Sequence, residues 1–510
     1  MEDSFDFDFF KLWHGIPEED IDRAVPTVDN TLKRWVGELK SDYSMRLLGT
    51  GENGHEYISE EERFVNFHVL GAPGEGKSKF LEYHIRQDID MGNGLCLLDP
   101  SDKGDTARNV LNYCASKNYE KVIWIDPETI TKYKKIPCIA PLSQKSVKRS
   151  VAGMMEALNI LFDSKSTATP RIRRYLTALF RILARQNLML KDARYFTDYY
   201  SNKEMREQIL GNDPDSQTIR GVFRTPYSFE NYFSSSINRL DALWQEPLSS
   251  ILSNTEGINF RRAAAEGWVI LVNLSPYLLT EDESQLLGII VISQIIQAVD
   301  ALASRNWNGI FYLYVDEAGR FATPQIETLL SYKRKSGIRL YLAHHHYDQF
   351  EDKRKVLSSI ENNTGVKLMF NTRSYEDRMR MIKSLGYGGN IPHALAVYAN
   401  SDLPKQHAVL KKNKESPVRI KIPDVEDAPK APKDYLEKLL SQPFYKDKQE
   451  YVRSAPKDTE SSQSRKVDDG KPAHESDVPA GIQSRRNQKE GLRPGQQKPP
   501  DIARAKPIKI

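Results

Sequence analysis

From residue 64 the chain alternates short, unbroken apolar runs with longer segments in which apolar residues recur every three or four positions. FVNFHVL (64–70), GLCLLD (94–99) and KVIWIDP (121–127) are too short for helices and end in glycine, proline or charge, so they predict strands. KFLEYHIRQDI and TARNVLNYCASK, between them, carry the helical spacing. Strands alternating with helices predict a parallel sheet covered by helices. Between residues 146 and 265 the strand texture stops. VKRSVAGMMEALNILF, RIRRYLTALFRILARQNLML and FENYFSSSINRLDALW all read as helices. Strand texture returns at WVILVNL (268–274). A long helix over 283–303 follows, then GIFYLYVDEA, a helix over 324–335, IRLYLAHH and VKLMFNT. The helical block therefore interrupts one α/β domain rather than separating two.

The ends differ from this body. Residues 1–62 form an arm rich in acids and aromatics, with Phe5, Phe7, Phe9, Phe10 and Trp13. It reads either as a loosely packed extension or as a docking strip for a subunit or partner. DYLEKLLSQ is one last helix within a linker over 426–450. From residue 451 to 510, Ser, Gln, Pro, Lys and Asp dominate. So few apolar residues do not offset the entropy of ordering, and disorder is predicted. The expected division is thus an arm (1–62), a first part of the α/β domain (63–145), an all-α insertion (146–265), a second part of the α/β domain (266–425), a linker (426–450) and a basic tail (451–510). A length of 510 residues agrees with two to four folding units at roughly 100–200 residues each.

Charge refines the picture only at the termini. The net charge of +4 combines an acidic start, nine acids against Lys11 and Arg23 in residues 1–30, with a tail of 13 Lys/Arg against eight Asp/Glu. The body is mildly basic, which permits nucleic-acid contact without demanding it. An acidic N-terminus argues against a signal or transit peptide. The best candidate for a membrane span, residues 286–299, is short and carries Ser293, Gln294 and Gln297. Cys96, Cys114 and Cys138 are too few and too scattered for a disulfide framework or a zinc site. The expectation is a soluble protein of a reducing compartment.

Two segments carry chemistry. Gly71-Ala72-Pro73-Gly74-Glu75-Gly76-Lys77-Ser78 matches the phosphate-loop pattern in full, between a predicted strand and a predicted helix. Its glycines let backbone N–H groups turn onto phosphates. Lys77 reaches the β- and γ-phosphates, and Ser78 offers a hydroxyl to Mg²⁺. The helix behind points its positive end at the anion. The strand 310–315 ends in Asp316 and Glu317. Adjacent carboxylates are tolerated there only if the strand emerges at the carboxyl edge of the sheet, where nucleotide binds. Asp316 then holds Mg²⁺ and Glu317 polarises the attacking water. The expected ligands are ATP and Mg²⁺, and the acidic pair favours hydrolysis over mere binding.

Other residues leave alternatives open. His344, His345 and His346 follow the next strand. They read as a metal cluster, as a γ-phosphate sensor or as a hydrogen-bonded loop, although consecutive positions splay three rings apart. Lys333, Arg334 and Lys335 end a helix, and complement its dipole or supply an arginine finger to a neighbouring subunit. Arg373, Arg261 and Arg262 are further finger candidates. Arg171, Arg173, Arg174, Arg181 and Arg185, interleaved with Tyr175 and Phe180, suggest a DNA-binding stripe, but an amphipathic helix with a solvated basic face accounts for them better.

The order of these motifs resembles the FtsK/HerA superfamily of ring-forming DNA-pumping ATPases, and within it the conjugative coupling proteins of TraD/TraG type. LLDPSDKGD (97–105), the segments 258–296 and 314–345, IENNTGVKLMFNT (360–372) and LPKQHAVL (403–410) carry the likeness, which spans roughly residues 64–425. The resemblance implies a RecA-like P-loop fold with an all-α insertion. It implies a homo-oligomeric ring, hexameric on the family pattern, DNA as the moved partner, and contact with relaxase or secretion-channel proteins. By position it places Lys77 and Ser78 on phosphate and Mg²⁺, Asp316 and Glu317 as the metal and water-activating pair, and Arg334 as the finger acting in trans. His345 stands where the family usually has glutamine. The family's N-terminal membrane helices have no counterpart here, so a cytoplasmic location with recruitment to the inner membrane face is expected. A related protein-secretion or viral packaging ATPase, or a nucleotide-binding module that assembles without pumping, remain alternatives.

Overall fold

The computed structural model describes residues 45–159, 169–234, 240, 243–332, 337–385, 403–413 and 415–449. Arg334 with its neighbours Lys333 and Lys335, the acidic start and the basic tail lie outside these residues. The strands are β1 (Arg46–Gly51), β2 (Gly54–Ile58), β3 (Phe67–Leu70), β4 (Gly94–Asp99), β5 (Val122–Ile125), β6 (Lys135–Pro137), β7 (Val269–Asn273), β8 (Phe311–Val315), β9 (Ile338–His344), β10 (Val366–Met369), β11 (His407–Lys412), β12 (Val418–Lys421) and β13 (Tyr445–Asp447). The described helices of eight or more residues are α1 (Lys77–Asp90), α2 (Asp105–Ser116), α3 (Val147–Asn159), α4 (Thr169–Arg185), α5 (Pro214–Val222), α6 (Glu281–Ala303), α7 (Pro324–Tyr332), α8 (Arg354–Asn363), α9 (Tyr375–Leu385) and α10 (Lys433–Leu440).

Eleven of these strands join in one sheet, in the order β2-β1-β12-β11-β10-β3-β9-β8-β4-β7-β5. The run from β10 to β5 is parallel, as the alternating texture predicts. The other four strands form an antiparallel wing. That wing corrects the sequence reading in one respect. The sequence pattern places residues 46–58 in the arm, yet they fold as a hairpin and complete the sheet edge against β12. Their pattern gave little warning, because Gly49, Gly51 and Gly54 dilute it. Glycine at 49 is required by close approach: a Cβ there lies 2.6 Å from the Lys421 carbonyl oxygen.

Both faces of the parallel region are buried, so its strands are apolar throughout. On β4, Leu95 and Leu97 face one side and Cys96 and Leu98 the other, by the two-residue period. The first side packs against α1, α2 and α10 through Phe80, Leu81, Val110 and Leu439. The second packs against α3, α6 and α7, and the same continuous core takes in α4 and the rest of the helical segment. Residues 147–265 contain only helices among those described, and they share the core of the sheet rather than building their own. Helix α6 is held at its start by a reciprocal cap. Thr280 N–H donates to the Glu283 carboxylate at 2.8 Å, and Glu283 N–H donates to Thr280 Oγ1 at 3.3 Å. It is the one described helix long and apolar enough to cross a membrane, and here it lies buried between sheet and α3.

The segment assigned to a linker is docked. Lys438 pairs with Glu120, Tyr435 Oη donates to the Tyr119 carbonyl at 2.7 Å, and β13 pairs with β6. Trp124 N–H donates to Tyr445 Oη at 2.7 Å, so this strap closes over the β5 edge.

One buried group makes the fold acid-sensitive. His84 of α1 lies wholly inside, against Phe67, Phe80 and Tyr341, and neither ring nitrogen has a hydrogen-bond partner. Burial, reinforced by the Arg63 charge, pushes its pKa down to about 3. The unfolded chain protonates this imidazole near its ordinary 6.5, and the folded chain resists it. The His84 contribution to stability is therefore whole above neutral pH and is lost as pH falls through 6.5. At pH 5 the loss through this one group is expected to be about 2 kcal/mol. His84→Phe is expected to lose correspondingly less stability than the wild type between pH 8 and pH 5. Paired urea titrations check this, and equal losses in both proteins contradict it.

Candidate nucleotide site

Strand β3 ends at Leu70, opposite His344 of β9 on one side and Met369 of β10 on the other. The chain then turns through the glycine loop. Gly71 N–H donates to the His344 carbonyl at 3.3 Å and Ala72 N–H to the Asn371 carbonyl at 2.8 Å, so both flanking strands anchor the loop. Gly76 is demanded twice. Its φ of +119° is hostile to other residues, and a Cβ would meet the Phe370 ring and Gln406 Cα, each at 3.2 Å. Helix α1 begins at once, with Lys77 and Ser78 in its first turn and its N-terminal amide end at the loop.

Lys77 is buried, and its Nζ donates to the carbonyls of Gly71 at 2.6 Å and Ala72 at 2.9 Å. Burial lowers its pKa to about 8, against the opposing pull of Asp316, Glu317 and Glu75. An ammonium resting on loop carbonyls in this way is free to move to phosphate oxygens when they enter. Ser78 Oγ donates to Asp316 Oδ2 at 2.9 Å. The two side chains expected to hold Mg²⁺ thus already touch, although 238 residues separate them in sequence. This donor set fits Mg²⁺, which takes one or two protein oxygens and completes its shell with phosphate and water. Among the described residues no group of three or more His, Cys, Asp and Glu forms a metal cluster.

Glu317 follows Asp316 at the tip of β8. Its backbone sits in the left-handed region (φ 48°), which is costly for a residue with a Cβ and is a mark of functional turns. Burial alone raises its carboxyl pKa. His345 and Arg320 beside it outweigh that and hold it below the ordinary glutamate value. His345 Nε2 lies 3.6 Å from one carboxylate oxygen and Arg320 Nη1 3.6 Å from the other.

The three histidines splay. His344 points into the core, 2.7 Å from His68, and is held neutral by burial with a pKa near 3. His345 faces Glu317, and His346 is exposed. Lys77, Ser78, Asp316, Glu317 and His345 therefore converge at one sheet edge. Arg373 follows β10 at that edge and is exposed. Arg261 and Arg262 precede β7 and so lie at the opposite edge, with Arg262 paired to Glu266 at 2.7 Å. The arginines of α4 are solvent-exposed above buried Ile172, Leu176 and Leu179. Arg181 and Arg185 are paired with Asp215 and Asp213 of the α5 end.

Sequence reasoning missed Arg320, Gln349 and Gln406. Gln349 Oε1 accepts from His345 N–H at 2.8 Å, and Gln406 N–H donates to the Glu75 carbonyl at 3.0 Å. Only Arg320 left a signal, as a lone cation three residues after the acidic pair.

The sheet, the loop and the acidic strand tip define the RecA-like P-loop NTPase fold. No family model matches the sequence, and no curated protein matches it significantly. Among solved structures the chain is similar to the bacterial conjugative coupling protein TrwBdeltaN70 in its unbound form, with a TM-score of 0.55 and 14% identity over 76% of this chain and 90% of that one. It is similar also to plasmid coupling protein TrwB in complex with the ATP analogue ADPNP (TM-score 0.56, 14% identity, 76% and 91% covered) and in complex with ADP and Mg²⁺ (0.50, 13%, 73% and 89%). The chain thus has the fold of these coupling-protein structures, a large, mostly parallel sheet covered by helices.

Proposed function

We propose that the chain is an ATP-hydrolysing motor that assembles into a ring, a hexamer on the family pattern, and pumps DNA as conjugative coupling proteins do. The observation that supports this best is the Ser78–Asp316 hydrogen bond with Glu317 beside it, on a fold shared along nine-tenths of the TrwBdeltaN70 chain. In this reading Lys77 moves from its loop carbonyls to the β- and γ-phosphates. Ser78 and Asp316 hold Mg²⁺, which neutralises phosphate charge when bound. Glu317 takes the proton of the attacking water. His345 senses the γ-phosphate, and Arg334 of one subunit completes the site of the next. The moved partner is DNA, gripped through its phosphates with little sequence preference. Relaxase or secretion-channel proteins deliver it, from the cytoplasm at the inner membrane face.

The test is ATP hydrolysis by the purified chain with and without single- and double-stranded DNA. Stimulation by DNA is expected, and Lys77→Ala is expected to fall to background under every condition. Hydrolysis indifferent to DNA supports a protein-secretion motor instead. Absence of hydrolysis, with and without DNA, contradicts the motor reading.

A further inference from the structure

We propose that Arg320 is a positioning residue for hydrolysis, whose guanidinium holds the Glu317 carboxylate in its working direction. This rests on Glu317 being the water-activating group, as above.

The turn after β8 is built to aim Arg320 back over that carboxylate. Ala318 N–H donates to the Ala343 carbonyl at 2.7 Å, and Arg320 N–H to the Glu317 carbonyl at 2.9 Å. Ala318 and Phe321 are buried on either side, so the backbone at residue 320 has little freedom. Lys353 Nζ donates to the Gly319 carbonyl at 2.8 Å and ties the turn to the segment after β9. Gly319 has no room for a side chain, since a Cβ there lies 2.6 Å from Gln349 Cβ.

The guanidinium itself is mostly enclosed. Nη1 faces Glu317 at 3.6 Å, Nη2 reaches Ser284 Oγ of α6 at 3.5 Å, and Nε is buried without a partner. Among the described residues, Glu317 is the carboxylate that pairs with this charge. On the other oxygen of Glu317 sits His345, at the same distance. A carboxylate in a left-handed turn, free to rotate, has an alternative close at hand in the Lys77 ammonium. Pairing there takes it off the water and takes the lysine off the phosphates. Arg320, 3.6 Å from one carboxylate oxygen, opposes that collapse. Arg320 also walls an open cleft of about 470 Å³ with Glu281, Gln285 and Lys353, through which small ions reach it.

The test compares wild type, Arg320→Ala, Arg320→Lys, Glu317→Gln and the double variant Arg320→Ala/Glu317→Gln in the full chain. Arg320→Ala is expected to lower kcat about 10–100-fold, the usual cost of removing the partner that orients a catalytic group. KM, nucleotide Kd and Tm are expected to stay near wild type. Arg320→Lys recovers part of the rate, and added guanidinium raises the rate of Arg320→Ala but not of the double variant. The double variant is no slower than Glu317→Gln alone, as groups acting as one unit require. Wild-type kcat in Arg320→Ala overturns the proposal. So does a loss carried by Kd or Tm, or one that neither lysine nor guanidinium reverses. If Glu317→Gln itself is fully active, the functional reading falls, and this proposal with it. A dead Glu317→Gln beside a fully active Arg320→Ala sinks only the latter.

Discussion

Glu317→Gln is expected to bind nucleotide as the wild type does and to hydrolyse it about 10²–10⁴-fold more slowly, the range spanned by loss of a general base. The substitution keeps shape and backbone, and it leaves Lys77, Ser78 and Asp316 in place to hold phosphate and Mg²⁺. What it removes is the charge that Arg320 and His345 keep ionised by outweighing the cost of burial. Single-turnover hydrolysis beside a fluorescent-nucleotide titration separates the two effects. A rate loss smaller than about tenfold sets Glu317 aside as the base. An equal loss of affinity makes it a ligand-holding group instead.

Asp88→Ala is expected to destabilise the fold by about 3–5 kcal/mol, the cost of leaving buried charges without their partner. Asp88 closes α1 and is completely buried. Its carboxylate accepts from Arg63 Nη1 at 2.9 Å and Nη2 at 2.7 Å, from Arg46 Nε at 3.3 Å, and from the Tyr314 hydroxyl. Arg63 is itself fully enclosed, stacked 4.0 Å from the centre of the Tyr312 ring. Without Asp88, two buried guanidinium groups lose the carboxylate they share, and half-buried Glu60 and the neutral Tyr341 and Tyr314 hydroxyls do not replace its charge. Denaturant unfolding at neutral pH measures the change. A value under about 1 kcal/mol, typical of exposed pairs, contradicts the burial argument. The cluster lies at the far end of α1 from the phosphate loop, so nucleotide affinity of the folded fraction should persist.

The parallel strands and the phosphate loop were legible because each satisfies a local rule. GLCLLD and VILVN can be buried on both faces only as strands, and the glycines of the loop have no common alternative use. Asp316 and Glu317 were legible because two carboxylates cannot end a buried strand anywhere but at its open edge. The antiparallel wing was not. HAVLKK shows half an alternation, VRIK is short, and the β1–β2 hairpin is rich in glycine and charge, so only long-range pairing makes them strands. Arg63 and Asp88 escaped notice for the same reason. In sequence they look like surface charges, and their partners come from four separate elements. Arg320 belongs with them, because its role depends on a turn geometry that spacing does not encode.

The loop that would hold phosphate is fastened on one side by the carbonyl of His344 and on the other by that of Asn371. Its own strand, made early, lies between two made late. A ribosome that has exposed residues 67–100 has delivered every atom of the glycine loop but neither of its fasteners. The edge strand β1 waits longer still, for residues 418–421. Translation must therefore run through most of the chain before ATP has anything to bind. Until then the nascent chain gains no protection from the nucleotide pool, and its unpaired strands depend on whatever shields them in the meantime.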